Sequence, residues 1–209
     1  MKLTSQSFAD GAPIPQVYAF CAAHAATHAR LSDNLNPHLA WNETPMGVKS
    51  YALVCHDPDV PSRGDDVNKE GRVVPSSLAR VDFFHWVMVD IPASMVGVME
   101  GEYSSSVVAR GKPGPQSLHG ARHGLNDYTK WFAGDKDMAG DYYGYDGPCP
   151  PWNDERPHRY VFTVYALDVE KLAVSGSFNG DDVRKAVQGH VLAQAALTGR
   201  YTLNPAVKV

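Results

Sequence analysis

Apolar residues along this chain gather into short runs with the two-residue alternation of strands, and only one stretch carries the wider spacing of a helix. Val48–Cys55 (VKSYALVC) is apolar and β-branched enough for a buried strand. Val81–Ile91 (VDFFHWVMVDI) is richer in aromatics and valine, and Pro92 ends it. Arg159–Leu167 (RYVFTVYAL) sets Tyr160, Phe162, Val164 and Ala166 on one face and Val161, Thr163, Tyr165 and Leu167 on the other. Both faces are largely apolar, so this strand is expected at the centre of a sheet and covered on both sides. Weaker strands are expected near Leu3–Phe8, Val96–Met99 and Val107–Ala109.

The helical spacing lies near the C-terminus. Asn179-Gly180-Asp181-Asp182 supplies cap-type residues and negative charge, and Val183, Val187, Val191 and Ala195 then recur every four residues up to a stop at Gly199. A second helix is expected on propensity over Phe20–Arg30 (FCAAHAATHAR). Fifteen prolines and 18 glycines break the rest into short segments, which disfavours a helical bundle, and long loops are expected over Pro61–Arg80 and Gly111–Asp154. The pattern describes a mainly β chain with a late helix, and no repeat or composition shift divides residues 1–209 into more than one domain.

Charge and composition narrow the partners. Nineteen basic residues against 23 acidic ones give a net charge of −4, and no Lys/Arg run offers a nucleic-acid backbone a surface. No apolar run reaches the ~18–20 residues of a membrane span. The opening MKLTSQSFADG lacks the apolar region of a secretory signal. Three scattered cysteines, Cys21, Cys55 and Cys149, make a poor disulfide framework. Together these features are read as those of a cytoplasmic protein.

Chemistry-bearing motifs are mostly negative. There is no phosphate-binding glycine loop, no dinucleotide fingerprint and no G-x-S-x-G elbow. His24/His28 and His119/His123 are i, i+4 pairs, but Ala25 replaces the glutamate that a zinc protease needs and the second pair sits among glycines. No metal and no cofactor is expected. A different cluster is more informative. Asp57-Pro58-Asp59-Val60-Pro61 forms a stiff turn after the first strong strand. His85 lies within the aromatic strand, where by itself it reads as a satisfied core group rather than a cavity group. Gly147-Pro148-Cys149-Pro150-Pro151 is a rigid loop, and His158 and Tyr160 project from one face of the strand that follows it.

These residues carry a resemblance. D-P-D-x-P, F-F-H-W and G-P-C-P-P…H-R-Y occur here in that order. They are joined by Phe8-Ala9-Asp10-Gly11-Ala12-Pro13-Ile14-Pro15, Asn36-Pro37-His38-Leu39-Ala40-Trp41 and Gly124-Leu125-Asn126-Asp127-Tyr128. Over most of its length the chain resembles the phosphatidylethanolamine-binding protein (PEBP) family, in its bacterial Raf kinase inhibitor-like branch. The resemblance implies a large central β-sheet packed on a smaller sheet, with a helix near the C-terminus. It also implies a small anion pocket at one end of the sheet, which would use Asp57, Pro61, His85, Gly147, Pro148, His158 and Tyr160. Phe83 stands where many relatives have Trp and would be a pocket wall. In such a pocket the two imidazoles would donate N–H bonds to phosphate oxygens, Tyr160 would add a hydroxyl, and Asp57 would sit beside a histidine and favour its protonated form. For Asp57 the plainer reading is a turn cap. Cys21–Asn36 and Ser62–Arg80 are longer than the usual loops and are expected to line the pocket mouth or form an interface.

A protein-interaction role through the long loops is one reading, and two further functions compete. One is a non-catalytic binder of small phosphorylated or carboxylated ligands, with a kinase or a protease as a protein partner and with homodimerisation implied by the resemblance. The other is a hydrolase or lyase using Asp57, His85 and His158 as acid/base groups, with Ser76, Ser77 or Cys149 nearby. Cys149, flanked by prolines, reads as structural rather than catalytic.

Overall fold

Each of the three strong apolar runs folds as a strand, and the three lie side by side in the middle of the molecule. The computed structural model describes residues 1–209. In chain order its first strands are β1 (Lys2–Thr4), β2 (Cys21–His24), β3 (His28–Leu31), β4 (Leu39–Asn42), β5 (Ser50–Pro61), β6 (Arg80–Pro92), β7 (Gly97–Val98) and β8 (Arg122–His123). A short helix α1 (Tyr128–Trp131), β9 (His158–Leu167), α2 (Gly180–Ala186) and β10 (Val191–Tyr201) follow.

Five strands make an antiparallel central sheet in the order β10-β9-β5-β6-β8, and β1-β4-β7 make a smaller one. Side-chain alternation gives the central sheet two apolar faces. Tyr51, Leu53 and Cys55 point to the face that also holds Trp86, Met88, Phe162 and Val164. The small sheet covers this face, its Trp41 ring lying 5.3 Å from that of Tyr51. Ala52, Val54, Val87 and Val89 point the other way, onto Val183 and Val187 at and after α2. Helix α2 can approach because its first residue is Gly180, where an added Cβ would stand 2.1 Å from the Phe84 ring.

Five expectations from the sequence need correction, the first being Asp57–Pro61, which is not a turn but the bulged end of β5, paired with β6. Phe20–Arg30 is not a helix but the hairpin β2–β3, closed by the pair His24 and His28. Its alanines have high helix propensity, but propensity decides little against tertiary contacts. Here Phe20 and Cys21 instead donate their N–H groups to the carbonyl of Pro148, and tertiary contact overrides propensity.

The late helix ends at Ala186, and residues 191–201 form a strand instead. A spacing of four fits both a helix and every second inward position of a strand, so Val191 and Ala195 could not separate the two. The break comes at Gly189, which takes a φ of +83°. Gly199 is no helix stop: it lies within β10, where a Cβ would meet Ile14 at 2.3 Å.

Val107–Ala109 is not a strand; the segment runs into a turn whose next residue, Arg110, has a φ of +64°. Finally, Cys21 and Cys149 are joined by a disulfide across 128 residues, leaving Cys55 buried and free. Packing of the hairpin on the Pro148 loop brings their Cα atoms to 4.8 Å, a proximity that spacing along the chain does not reveal. The bond also removes the cysteine argument for a cytoplasmic location.

Candidate functional site

The end of β5 (Asp57–Pro61), the aromatic strand β6 and the first residues of β9 meet at one end of the central sheet. There they surround a cavity of about 390 Å³. Asp57, Pro61, Phe83, His85, His158 and Tyr160 all line it. Gly147 and Pro148 lie behind the wall. Gly147 accepts a hydrogen bond from the Tyr128 hydroxyl at 2.8 Å, and a Cβ on it would stand 2.1 Å from the Tyr18 carbonyl oxygen. The two residues set the path of Cys149-Pro150-Pro151, which does reach the cavity.

The floor is organised by carboxylates. Asp57 Oδ1 accepts the Asp59 N–H at 2.7 Å at the bulge of β5, and its Oδ2 lies 2.6 Å from His158 Nδ1. One side chain thus holds its own backbone at the bulge and partners His158, and there is no turn for it to cap. His158 Nε2 in turn faces Asp154 Oδ2 at 3.1 Å. Arg80 closes the row with a two-pronged contact to Asp154, whose longer arm is 3.0 Å. Burial alone would depress the His158 pKa, but the charges and hydrogen bonds of Asp57 and Asp154 outweigh it and lift the value to about 9. His158 is therefore an imidazolium at neutral pH, with both N–H groups already committed to carboxylates. It positions Asp57 and has no donor left for a ligand, which departs from the expectation of two donating imidazoles.

His85 is placed differently. Its Nδ1 donates to the backbone carbonyl of Asp146 at 2.7 Å, which fixes the ring and turns Nε2 to the cavity with no protein partner. Desolvation lowers the pKa of His85, against the pull of Asp57, so the ring is neutral at pH 7. Asp146 is held by Lys112 at 2.9 Å and by the side-chain amides of Asn34 and Asn126, each at 2.8 Å. Tyr160 also reaches the cavity with a hydroxyl bonded to no protein group, and burial drives its pKa well up, so it stays protonated. The floor thus offers Nε2 of a neutral histidine and a free phenol beside a charge-balanced row of Asp57, His158, Asp154 and Arg80.

Sequence reasoning missed the supports and most of the upper wall. Asp154 and Arg80 belong to segments read as loop ends, and only the fold shows that they share one histidine. Asn126 and Asp127 fall in a quoted motif without an assigned role. Asp127 accepts the Phe84 N–H at 2.8 Å, and Asn126 holds Asp146, so both fix β6 and the loop beside it. The wall adds Phe20, Tyr128, Phe132 and Met138, while Leu31 from the hairpin and Val67 from the 62–80 loop complete the mouth. Both extended segments therefore lie at the cavity. The loop is docked by Asn153, which accepts the Asn68 N–H at 3.0 Å and donates to the Asp66 carbonyl at 2.8 Å. His28 stacks on Trp152 at 3.9 Å and pairs with Glu70 at 2.6 Å.

The nucleophile candidates of the enzymatic reading are elsewhere or occupied. Cys149 is in the disulfide, and Ser76 and Ser77 are exposed and do not line the cavity. No group of three or more His, Cys, Asp or Glu side chains is arranged to hold a metal ion, and no helix is long and apolar enough to cross a membrane.

Comparison with known proteins places this geometry. The chain is 31% identical over 202 residues to UPF0098 protein YbhB of Escherichia coli (strain K12), covering 97% of this chain and all of that one. It is 30% identical over 201 residues to a UPF0098 protein of Aquifex aeolicus (strain VF5), covering 96% and 88% of the two chains. Its fold matches the crystal structure of E. coli YbcL, presented as a new member of the mammalian PEBP family, with a TM-score of 0.68 and 26% identity over 96% of this chain and 97% of that one. Residues 4–202 match the family model for phosphatidylethanolamine-binding protein. With that match over nearly its whole length, and with D-P-D-x-P, F-F-H-W and H-R-Y meeting at one cavity, the chain belongs to the phosphatidylethanolamine-binding protein family.

Proposed function

We propose that this protein binds a small molecule through an anionic head, phosphate or carboxylate, seated on the floor of the cavity against His85 and Tyr160. The observation that carries the reading is the pair of unpartnered groups there, His85 Nε2 and the Tyr160 hydroxyl, beside a His158 whose N–H groups are both spent. An anion at Nε2 favours the protonated ring, so binding takes up a proton and returns His85 from its depressed pKa toward the imidazolium. Asp57 contributes no repulsion beyond what His158 offsets at 2.6 Å. Membership of the family supports a binding role. A kinase- or protease-inhibiting role and a homodimer remain implications of the family resemblance.

The test is calorimetric titration of phosphoethanolamine, and of sulfate as an anion of constant charge, at pH 5.5 and pH 8. Wild type is expected to bind both more tightly at pH 5.5, because a buried His85 must charge to donate. His85→Gln, which keeps the size of the side chain but cannot charge, is expected to lose the pH dependence. Equal affinity at the two pH values, or an unchanged profile in His85→Gln, would remove the proposed head-group site.

A further inference from the structure

A second cleft lies apart from the cavity at the sheet end and shares no lining residue with it. It runs between residues 101–108 and 112–118, with His123 and Tyr143 behind, and encloses about 480 Å³. We infer that this cleft is a second ligand site and that it takes a neutral carbohydrate of one or two sugar rings.

Three observations carry it. The walls are rich in hydrogen-bonding groups and offer no free charge. Ser105, Ser106 and Gln116 line the cleft with exposed side chains that bond to no protein group. Ser117 adds a hydroxyl that stands 3.5 Å from His123 Nε2. The two ionic residues of the lining are already engaged. Lys112 meets Asp146 at 2.9 Å, while the Glu102 carboxylate meets His119 at 2.9 Å and accepts the Met99 N–H at 2.8 Å. Burial and the nearby Lys112 charge push the His123 pKa down to about 3, so this ring is neutral as well. A charged ligand would give up its hydration here and gain no counter-charge. Sugar hydroxyls, each both donor and acceptor, match what the walls offer.

The lips are of the other kind. Val108 and Leu118 are 38% and 51% exposed and both line the cleft. A sugar ring carries hydroxyls at its rim and C–H groups on its faces, so seating a face against these lips removes apolar surface from water on both sides. The volume lies in the range of about 300–1,000 Å³ that encloses whole small ligands. Finally, the lining holds a polar group that the chain leaves unpaired. The Tyr103 hydroxyl is buried and bonds to no protein atom. The rings of Trp86 and His123 flank that of Tyr103, with centroids 5.8 Å and 5.6 Å away. Buried polar groups are rarely left without a partner. An occupant of the cleft supplies one here, directly or through a bridging water.

The test is amide chemical-shift titration of the full chain with methyl glucoside, methyl galactoside, maltose and cellobiose, and with glucuronate as a charged relative. At least one neutral sugar is expected to bind with a Kd of about 1–10 mM and to shift the amides of Ser104, Ser105, Ser106, Ser117 and His123. Ser106→Ala and Gln116→Ala change exposed side chains, so both variants are expected to fold. Each is expected to weaken that binding about two- to ten-fold, the loss of one neutral hydrogen bond. Tyr103→Phe is expected to weaken it by a similar factor while leaving the ligand-free protein at least as stable, because an unpaired buried hydroxyl is gone. His85→Gln is expected to leave it unchanged, which separates this cleft from the head-group cavity. Silence of these amides with all four neutral sugars overturns the site, as does affinity that is unchanged in the three cleft variants. Binding that is lost in His85→Gln places the sugar in the other cavity and also overturns it. Tighter binding of glucuronate than of the neutral sugars refutes the assigned ligand class.

Discussion

His158 shows how one side chain can be held in a charge state by its neighbours. An ordinary imidazole loses its proton near pH 6.5; between Asp57 and Asp154 this one keeps it to about 9. The folded pKa is raised, so the stabilisation is full below about 6.5 and is lost as pH rises through about 9. Chemical denaturation of wild type is expected to show this loss between pH 6.5 and 9.5. His158→Asn is expected to be less stable by about 3 kcal/mol at pH 6, since removing one partner leaves buried carboxylates uncompensated, and to lack that arm of the profile. A wild-type profile parallel to that of the variant across this window would refute the assigned charge state. His85 has the opposite setting: burial holds it neutral at pH 7. The two histidines, similar in sequence as members of strands beside turns, differ because one faces carboxylates and the other a backbone carbonyl.

Among the elements, the hairpin β2–β3 has the least local support. It pairs only with itself within its sheet, has four residues per strand and packs one side against the Pro148 loop. The disulfide closes a span of 128 residues, which in the chain-entropy account stabilises the fold by up to about 4–5 kcal/mol. The double variant Cys21→Ser/Cys149→Ser is therefore expected to melt lower by several degrees and to exchange the amides of residues 21–31 faster than wild type. Unchanged exchange in the hairpin would show that backbone contacts to Pro148 suffice. Helix α2, by contrast, is locally well specified. Asn179 caps it by accepting from the Asp181 and Asp182 N–H groups, and Asp182 returns a bond to the Asn179 N–H.

Across the whole molecule, stability is concentrated where the central sheet is covered on both faces. β5 and β9 each have a partner strand on both sides and an apolar layer above and below. Native-state hydrogen exchange is expected to be slowest for Leu53–Cys55 and Phe162–Val164 and distinctly faster for β1, β7 and the hairpin, which lie in short strands with few buried neighbours. Uniform protection across these elements would contradict this division. The cavity sits at the end of the protected strands, so its floor is anchored to the stiffest part of the fold. Its lips come from the hairpin and the 62–80 loop, which are held by a few specific ties.

Three of the four long strands, β5, β6 and β9, and the two-faced character of β9 were legible in the residues because alternation is a local property that burial on a pleated surface imposes directly. So was the start of α2, whose cap residues act within a few positions of themselves, whereas Asp57–Pro61, whose prolines read as a turn, pairs with β6 as the bulged end of β5. The motifs also sufficed to bring Asp57, Phe83, His85, His158 and Tyr160 forward as a group. What lay beyond the sequence depends on partners distant along the chain. The alanine-rich segment became a hairpin through the Pro148 carbonyl, and Val191–Tyr201 became a strand because β9 offered an edge to pair with. Cys21 met Cys149 only after the hairpin had packed on that loop. The different charge states of His85 and His158 arise the same way. A histidine's pKa is set by the groups within a few ångströms, and here Asp154, Asp146 and Asp57 are brought there by three separate segments of the chain.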